Sequence, residues 1–496
     1  MVALIRFTHD WDSRFGLRLL ASRVYQARGY VCQTLGLLWA CLALVGCASI
    51  AGPDYRRPDV AMKSGWSLTT ATPAKGSESI KLDWWTEFGD PYLNTLVERA
   101  ISSNLSIQIA AARVAEAGTL IGAAEAQRLP TVTGSAATQG TFLGTFNGGS
   151  SLSRTATNVG ASLGWELDIW GKLKKGVEAQ EANYQASEAD WRAVWLIIVS
   201  DVATTYFFIR QLDQQTAAQA QSLKAAEHIL SVHTVQEQVG LTTRSDVMTQ
   251  HAEVNFIKTG LLELQRQRTL AENALATLLG TPAGDFHVPV AALEDAVRLP
   301  EVPTGLPSDI LKRRPDILAA EYRVLAVHNL VGQARLAQLP SIRFSVDGSA
   351  NNLLSSAIAA WTFGLGPSIE IPIFDPGLQA AIKTTEAVAK TIEHEYRLTV
   401  INAFQEVEDA LVSLNNHKVQ RVRILDRLKQ LEGVAERRRK ELDMGFVSQL
   451  QVLEIERTLR DASLDRLSNH QRLLADTITL YKALGGGWPT TTVRTP

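Results

Sequence analysis

Val239-Gly240-Leu241-Thr242-Thr243-Arg244-Ser245-Asp246-Val247 closes a run, Val177 to Val239, of sixty-three residues that contain neither glycine nor proline. Such a run offers no cheap place to break a helix. At about 1.5 Å of rise per residue it predicts a rod of roughly 95 Å. Typical soluble helices run to about a dozen residues, so this length asks for a spacer, a coiled coil or a tunnel wall. At its end Gly240 can take the left-handed conformation that stops a helix, and Thr243 can cap the next one with Asp246 three residues on.

The run has a twin. Leu378 to Glu432 is fifty-five residues without glycine or proline, and the chain then reaches Gly445-Phe446-Val447-Ser448-Gln449-Leu450-Gln451-Val452, whose glycine lies 205 positions after Gly240. Ser448 and Gln451 stand where Thr243 and Asp246 stood, so both segments predict tips of helical hairpins. Upstream, Trp84-Trp85-Thr86-Glu87-Phe88-Gly89-Asp90-Pro91-Tyr92-Leu93 opens a helix expected to reach about Arg128, where Leu129-Pro130 stops it. Leu339-Pro340, 210 positions later, stops another helix, which holds Arg313-Arg314-Pro315-Asp316-Ile317, Ala320-Glu321 and Gly332. The chain reads as a tandem repeat: a first unit at 91–280 with its tip at 240–246, a linker at 281–306, a second unit at 307–485 with its tip at 445–451, and a tail at 486–496.

After each Leu-Pro the period changes to two. Val159, Ala161, Leu163, Trp165, Leu167 and Ile169 alternate with Gly160, Ser162, Gly164, Glu166 and Asp168. That is about the length of a tilted transmembrane β-strand. Trp361, Phe363, Leu365, Ile369, Ile371 and Ile373 repeat the pattern against Thr362, Gly364, Gly366, Ser368 and Glu370. Partner strands at about Thr131 to Phe146 and Ser341 to Ala350 alternate more weakly, giving β-hairpins at about 131–170 and 341–374, with loop material at Asn147-Gly148-Gly149-Ser150-Ser151 and Asn351-Asn352. Alternation alone fits a soluble hairpin with one face on a core. Strand length, Trp and Phe on the apolar face, and the expectation that no mature helix is apolar enough to span shift the reading to a membrane barrel. Four strands cannot close a barrel and open edges are not tolerated in lipid, so the chain is expected to oligomerise, to eight strands as a dimer or twelve as a trimer.

The formal charge of −2 over 496 residues argues against a nucleic-acid partner. Leu35 to Gly46, preceded by Arg23 and Arg28, is too short to span comfortably and suits a secretory h-region. It ends Leu44-Val45-Gly46-Cys47, which resembles a bacterial lipobox. The expectation is a signal peptide at 1–46 and a covalent lipid on Cys47, the sole cofactor-like group, with Ala48 directing the product to the outer membrane. Cys32 and Cys41 leave with the signal, so no disulfide is expected. Residues 47–90 begin with a stretch rich in proline, serine, threonine and glycine and read as an extended segment leading from the anchor.

Together, the lipobox, Trp-Trp-x-x-Phe-x-Asp-Pro-x-Leu, the Arg-Arg-Pro-Asp-Ile block with Ala-Glu after it, the two Leu-Pro stops and the paired glycine tips resemble the outer membrane factors of tripartite efflux systems, in their lipoprotein branch of the TolC and OprM type. The resemblance covers about Cys47 to Trp488. It implies a mixed α and β membrane protein: a homotrimer in which four strands per protomer make a twelve-stranded barrel, continued by a long periplasmic α-helical barrel. It implies a passive exit duct in the outer membrane, without enzymatic activity. The implied partners are a periplasmic adaptor and an inner-membrane transporter, expected to be of the proton-driven RND type. It carries adaptor docking to Gly240, Leu241, Thr242, Thr243 and Asp246 and to Gly445, Phe446, Val447 and Ser448. The narrowed periplasmic aperture falls on Leu450, Gln451 and Glu454, a glutamate where the family often has aspartate; Gln451 departs from members that carry a second acid.

Fragments that look catalytic or metal-binding do not hold up. His394-Glu395-Tyr396-Arg397-Leu398 has leucine where a zinc-protease helix needs its second histidine, and Gly171-Lys172-Leu173 lacks the spacing and the hydroxyl of a phosphate loop. Arg437-Arg438-Arg439-Lys440 reads as a solvated face. The rival classes are an adaptor lipoprotein, which carries one hairpin rather than two, and a lipid-anchored hydrolase, which needs a catalytic cluster. Within the efflux reading, an outlet for a type I protein secretion system is the alternative, and the substrate is left open.

Overall fold

The computed structural model describes Gly52 and residues 54–60, 65–67, 80–143, 152–293, 297–303, 307–351 and 360–488. Cys47 with its lipobox, the expected loop at Asn147 to Ser151, Asn352 and the end of the tail lie outside these residues. The chain divides into two compact units, one from residues 1–56, 123–179 and 327–389, the other from 57–122, 180–326 and 390–496.

The first unit is built on one antiparallel sheet of order β1-β2-β3-β4, with β1 at Thr131–Leu143, β2 at Leu152–Leu167, β3 at Ser341–Asn351 and β4 at Ala360–Glu370. The two repeats meet in it, because β2 pairs with β3 from Asn158↔Asn351 to Leu167↔Ile342. Laid in register, one face carries the row Val132, Leu163, Val346, Leu365 and the row Ala136, Val159, Ala350, Trp361. The other face carries Thr133, Ser162, Asp347, Gly364 and Ser135, Gly160, Ser349, Thr362. The alternation that looked weak in β1 and β3 is therefore carried by register, with glycine and alanine occupying part of the apolar face and Thr138 opposite Thr157 a polar pair on it. Hydroxyl pairs at 2.8 Å, Thr133 with Ser162 and Ser349 with Thr362, knit the polar face across strands. The strand expected to run to Ile373 stops at Glu370, since Pro372 cannot donate to a ladder.

Helices leave the sheet through matched caps. Asp168 accepts from Leu173 N and Lys174 N at 3.0 and 2.7 Å, and Asp375 accepts from Gly377 N and Leu378 N at 2.8 and 3.1 Å.

In order along the chain, the helices are α1 (Pro91–Ser103), α2 (Leu105–Ala126), α3 (Lys172–Gln238), α4 (Arg244–Leu278), α5 (Pro307–Arg313), α6 (Pro315–Leu336), α7 (Pro376–Asp443) and α8 (Gln449–Ala483). At 67 and 68 residues, α3 and α7 are each about 100 Å long. They exceed their glycine-free runs because Gly176 and Gly433 are absorbed inside them. The single helix expected from Trp84 to Arg128 is instead a 3-10 turn at Trp84–Phe88 followed by α1 and α2. Asn104 makes the break, its Oδ1 accepting from Ser106 N and Ile107 N at 2.8 and 3.1 Å to start α2 afresh. Arg314 divides α5 from α6 in the second repeat, because the residue before Pro315 is driven out of the helical region.

The second unit keeps its core where the 3-10 turn meets the long helices. Trp84 and Phe88 are fully buried; Trp84 stacks on Tyr481 at 5.0 Å and Phe88 meets Phe207 at 5.3 Å. One sequence expectation fails here. α3 does hold an 18-residue stretch of mean hydropathy 1.5, apolar enough by composition to cross a bilayer. More than half of that stretch is buried within the chain, and α3 buries Trp195, Val199, Val202, Ala203, Phe207 and Ile209, so its apolarity is that of a core helix.

Candidate functional site

Both hairpin tips are built from the same local chemistry. Gly240 and Gly445 share a φ of +79°, a left-handed value that only glycine takes without cost. Each opens a two-bond helix stop: Gly240 N donates to Glu237 O at 3.0 Å and Leu241 N to Gln236 O at 2.8 Å, while Gly445 N donates to Leu442 O at 2.9 Å and Phe446 N to Glu441 O at 2.8 Å. The next helices start on the expected caps. Thr243 Oγ1 accepts from Asp246 N at 3.2 Å and the Asp246 carboxylate accepts from Thr243 N at 3.1 Å. At the second tip Ser448 N donates to Gln451 Oε1 at 3.1 Å.

The two caps differ in charge. Asp246 Oδ2 also accepts from the hydroxyls of Thr243 and Thr242, at 2.6 and 3.0 Å, and these bonds hold its carboxyl below the ordinary carboxylate range. Gln451 makes its bond without ionising. Neither tip buries its apolar residues: Leu241 and Phe446 are each 77% exposed, and Val239, Met248 and Met444 join them at the surface.

Behind the first tip, α3 and α4 zip together through Ala226, Val254 and Ile257, with Leu223 and Leu230 packed alongside. The positions 223, 226 and 230 keep one face of α3 toward α4, the spacing of a coiled-coil seam. The α3–α4 hairpin and α8 together line a groove of about 360 Å³, among whose residues are Ile229, Gln250, Glu253, Leu453, Glu454 and Arg457. Arg457 of α8 lies 3.9 Å from Glu253 of α4, an ion pair that ties the two hairpins of the protomer. Glu454 is exposed at this groove, one turn into α8. Of the expected aperture residues, Gln451 is turned back onto the cap of its own helix, and Glu454 is free to face water.

Nothing in the sequence announced Arg457 and Glu253, since two residues 204 positions apart carry no local signal. The basic run is resolved: Arg438 pairs with Glu441, Arg439 with Glu456 and Lys440 with Glu436, at 2.9, 2.9 and 2.8 Å, all at the surface. It is a solvated face whose charges are largely answered within the protomer.

Far from the tips, buried charges fasten the second unit. Arg314, 6% exposed, donates to Ala483 O at 2.9 Å and pairs with Asp316 and Glu406 at 2.7 Å each. Glu321 pairs with Arg57, and burial pushes its carboxyl up against that partner's pull. Asp90 caps α1 through Tyr92 N and Leu93 N and also accepts from the Tyr206 hydroxyl at 2.6 Å.

Residues 96–281 and 306–486 match the model of the outer membrane efflux protein family. The chain is 32% identical over 465 residues to the cation efflux system protein CusC of Escherichia coli O6:H1, covering 90% of this chain and 97% of that one. It is 31% identical over 463 residues to the pyoverdine export outer membrane protein OpmQ of Pseudomonas putida, covering 92% and 97%. Among solved structures, the outer-membrane channel OprN superposes with a TM-score of 0.76 at 26% identity, covering 88% of this chain and 99% of that one. The open MtrE channel of Neisseria gonorrhoeae superposes with a TM-score of 0.74 at 26% identity, covering 88% and 98%.

Proposed function

The chain belongs to the outer membrane efflux protein family, and from that premise we propose that three copies assemble into the exit duct of a tripartite efflux system. The observation that carries the proposal is the sheet. It has two unpaired edges, β1 and β4, and in register one face is apolar while the other is polar. A four-stranded open sheet of this kind cannot rest in lipid, because each unpaired backbone group there costs several kcal/mol. Joining β4 of one protomer to β1 of the next removes the edges, and three copies give a twelve-stranded barrel wide enough to hold water. The helices of about 100 Å then continue the duct into the periplasm. In this assembly a lipid on Cys47 adds an anchor in the outer membrane.

At the ends of the long helices the exposed Leu241 and Phe446, with Val447 beside Phe446, give an adaptor apolar contacts on turns of one shape, and Thr242, Thr243, Asp246 and Ser448 supply polar groups next to them. Leu450, Gln451 and Glu454 form the aperture, where three copies of Glu454 repel one another and attract cations. A proton-driven inner-membrane transporter supplies the energy, and the duct itself carries out no chemistry. Relatives named for cations and pyoverdine differ widely in cargo, which suits a passage that conducts without ligating. This chain accordingly exports small molecules.

The test is to tag the chain, solubilise native envelopes gently, and measure both the mass of the purified particle and the proteins that accompany it. The expected result is a trimer with an adaptor, and an adaptor yield that falls about tenfold or more when Leu241→Asp and Phe446→Asp are combined, as for the loss of two apolar anchors. A monomer, or adaptor capture indifferent to both tips, overturns the proposal.

A further inference from the structure

The polar face of the sheet carries few charges. By register Arg154 lies on it opposite Thr141, toward the end of β2 away from Glu166, and the other ionisable residues of that face are Glu166, Arg343, Asp347 and Glu370. Glu166 is answered twice, by Lys172 and by Arg343, the latter at 3.7 Å. Glu370 stands opposite Ser341 at the end of the sheet where the helices begin. Asp347 is different. It lies at the middle of β3, exposed, in a row whose other members are Thr133, Ser162 and Gly364.

Its neighbours leave it open. Thr133 and Ser162 are hydrogen-bonded to each other, and a Cβ added at Gly364 would meet nothing within 4 Å. The nearest opposite charge on the strand, Arg343, is four residues away, about 13 Å. That exceeds the Debye length of about 8 Å at physiological salt, and Arg343 is already engaged with Glu166. A lone carboxylate in mid-strand is tolerable only where water reaches it.

We propose that Asp347 sets the ionic preference of the barrel lumen, its three copies forming a ring of carboxylates halfway along the strands that favours cations and disfavours anions. The proposal rests on the trimeric duct described above. Twelve strands spaced by about 4.8 Å and tilted by about 40° make a barrel roughly 24 Å across, so each carboxylate stands about a Debye length from the axis and its field reaches most of the passage. The effect belongs to the barrel and is separate from the role proposed for Glu454 at the aperture.

A reporter thiol reads the local potential without needing the duct to be open. Thr362→Cys lies on the same face, one row from Asp347, and is labelled in intact cells with thiol reagents of equal size, one cationic and one anionic, in low salt. With Asp347 present the cationic reagent reacts faster. In Asp347→Asn the ratio of the two rates falls at least about threefold, Asp347→Glu restores it, and added salt erases the difference. Labelling with an unchanged ratio in Asp347→Asn sinks the assignment of Asp347 while leaving the duct intact. If neither reagent labels Thr362→Cys, the polar face does not line water, and the barrel reading falls with it.

Discussion

Asp90 shows how much one side chain can hold. Its carboxylate satisfies two otherwise orphaned amides at the start of α1 and accepts the Tyr206 hydroxyl, whose ionisation burial and that bond push far above the ordinary tyrosine range. Asp90→Ala removes a cap worth about 1 kcal/mol and leaves the buried Tyr206 O–H without its acceptor, its oxygen still held by Arg210, at a further cost of about 1–3 kcal/mol. Thermal unfolding of the purified protein is expected to shift down accordingly, while Asp90→Asn, whose one amide oxygen keeps the cap but which turns a donor nitrogen toward Tyr206, loses less. Asp246 carries a prediction of a different kind. Its carboxyl is held below the usual range by the Thr243 and Thr242 hydrogen bonds, so the cap is at full strength above the ordinary carboxylate pKa and weakens as pH falls through the lowered value. Spin labels at Leu241 and Phe446 should therefore part company in acid. Mobility at Leu241 rises once the pH falls below the ordinary carboxylate range, whereas mobility at Phe446, whose cap depends on the non-titrating Gln451, stays level. Equal mobility at both tips across that range would show that the carboxylate does not govern the first cap.

Among the elements, the hairpins were the most legible in sequence because everything that makes them is local. A glycine, a hydroxyl residue three positions later and an acid or amide three beyond that specify the turn, and the structure places each on its expected partner. The breaks at Asn104 and Arg314 were missed for opposite reasons. Asn104 sits in an alanine-rich run whose helical propensity outvotes it, and only its buried position against the Leu278 carbonyl, 2.8 Å away, gives it the advantage as a cap. The signal at Arg314 was present in Pro315 and was outweighed by the helical pattern around it. The groove along Glu253, Glu454 and Arg457 lay beyond any reading of periodicity, because its walls come from segments some two hundred residues apart.

For the molecule as a whole, the sheet decides whether there is a duct at all. Its apolar face was half visible: β2 and β4 announce it through Trp165, Trp361, Phe363 and Leu365, whereas β1 and β3 hide it behind Gly134, Ala136, Gly348 and Ala350. The register removes the ambiguity and makes a sharp distinction between neighbouring residues. Leu365→Arg puts a charge on the lipid side at a cost of about 2–4 kcal/mol near the bilayer midplane, and it should deplete trimer from outer-membrane fractions. Thr362→Arg, on the opposite face, should leave trimer yield near wild type. Equal yields from the two variants would mean that lipid does not meet the apolar face.

The pairing of β2 with β3 also has a bearing on how the protein is made. Leu167 and Ile342 are partners in the ladder yet 175 residues apart, so a nascent chain carries β2 with one side unmatched while all of α3 through α6 is still being synthesised. During that interval the strand is a template for any other unmatched strand in reach, and loops of this length close slowly. Biogenesis must then depend on escort: something has to shield β2 between secretion and the arrival of β3, and the demand for that shielding is written into the order of the strands.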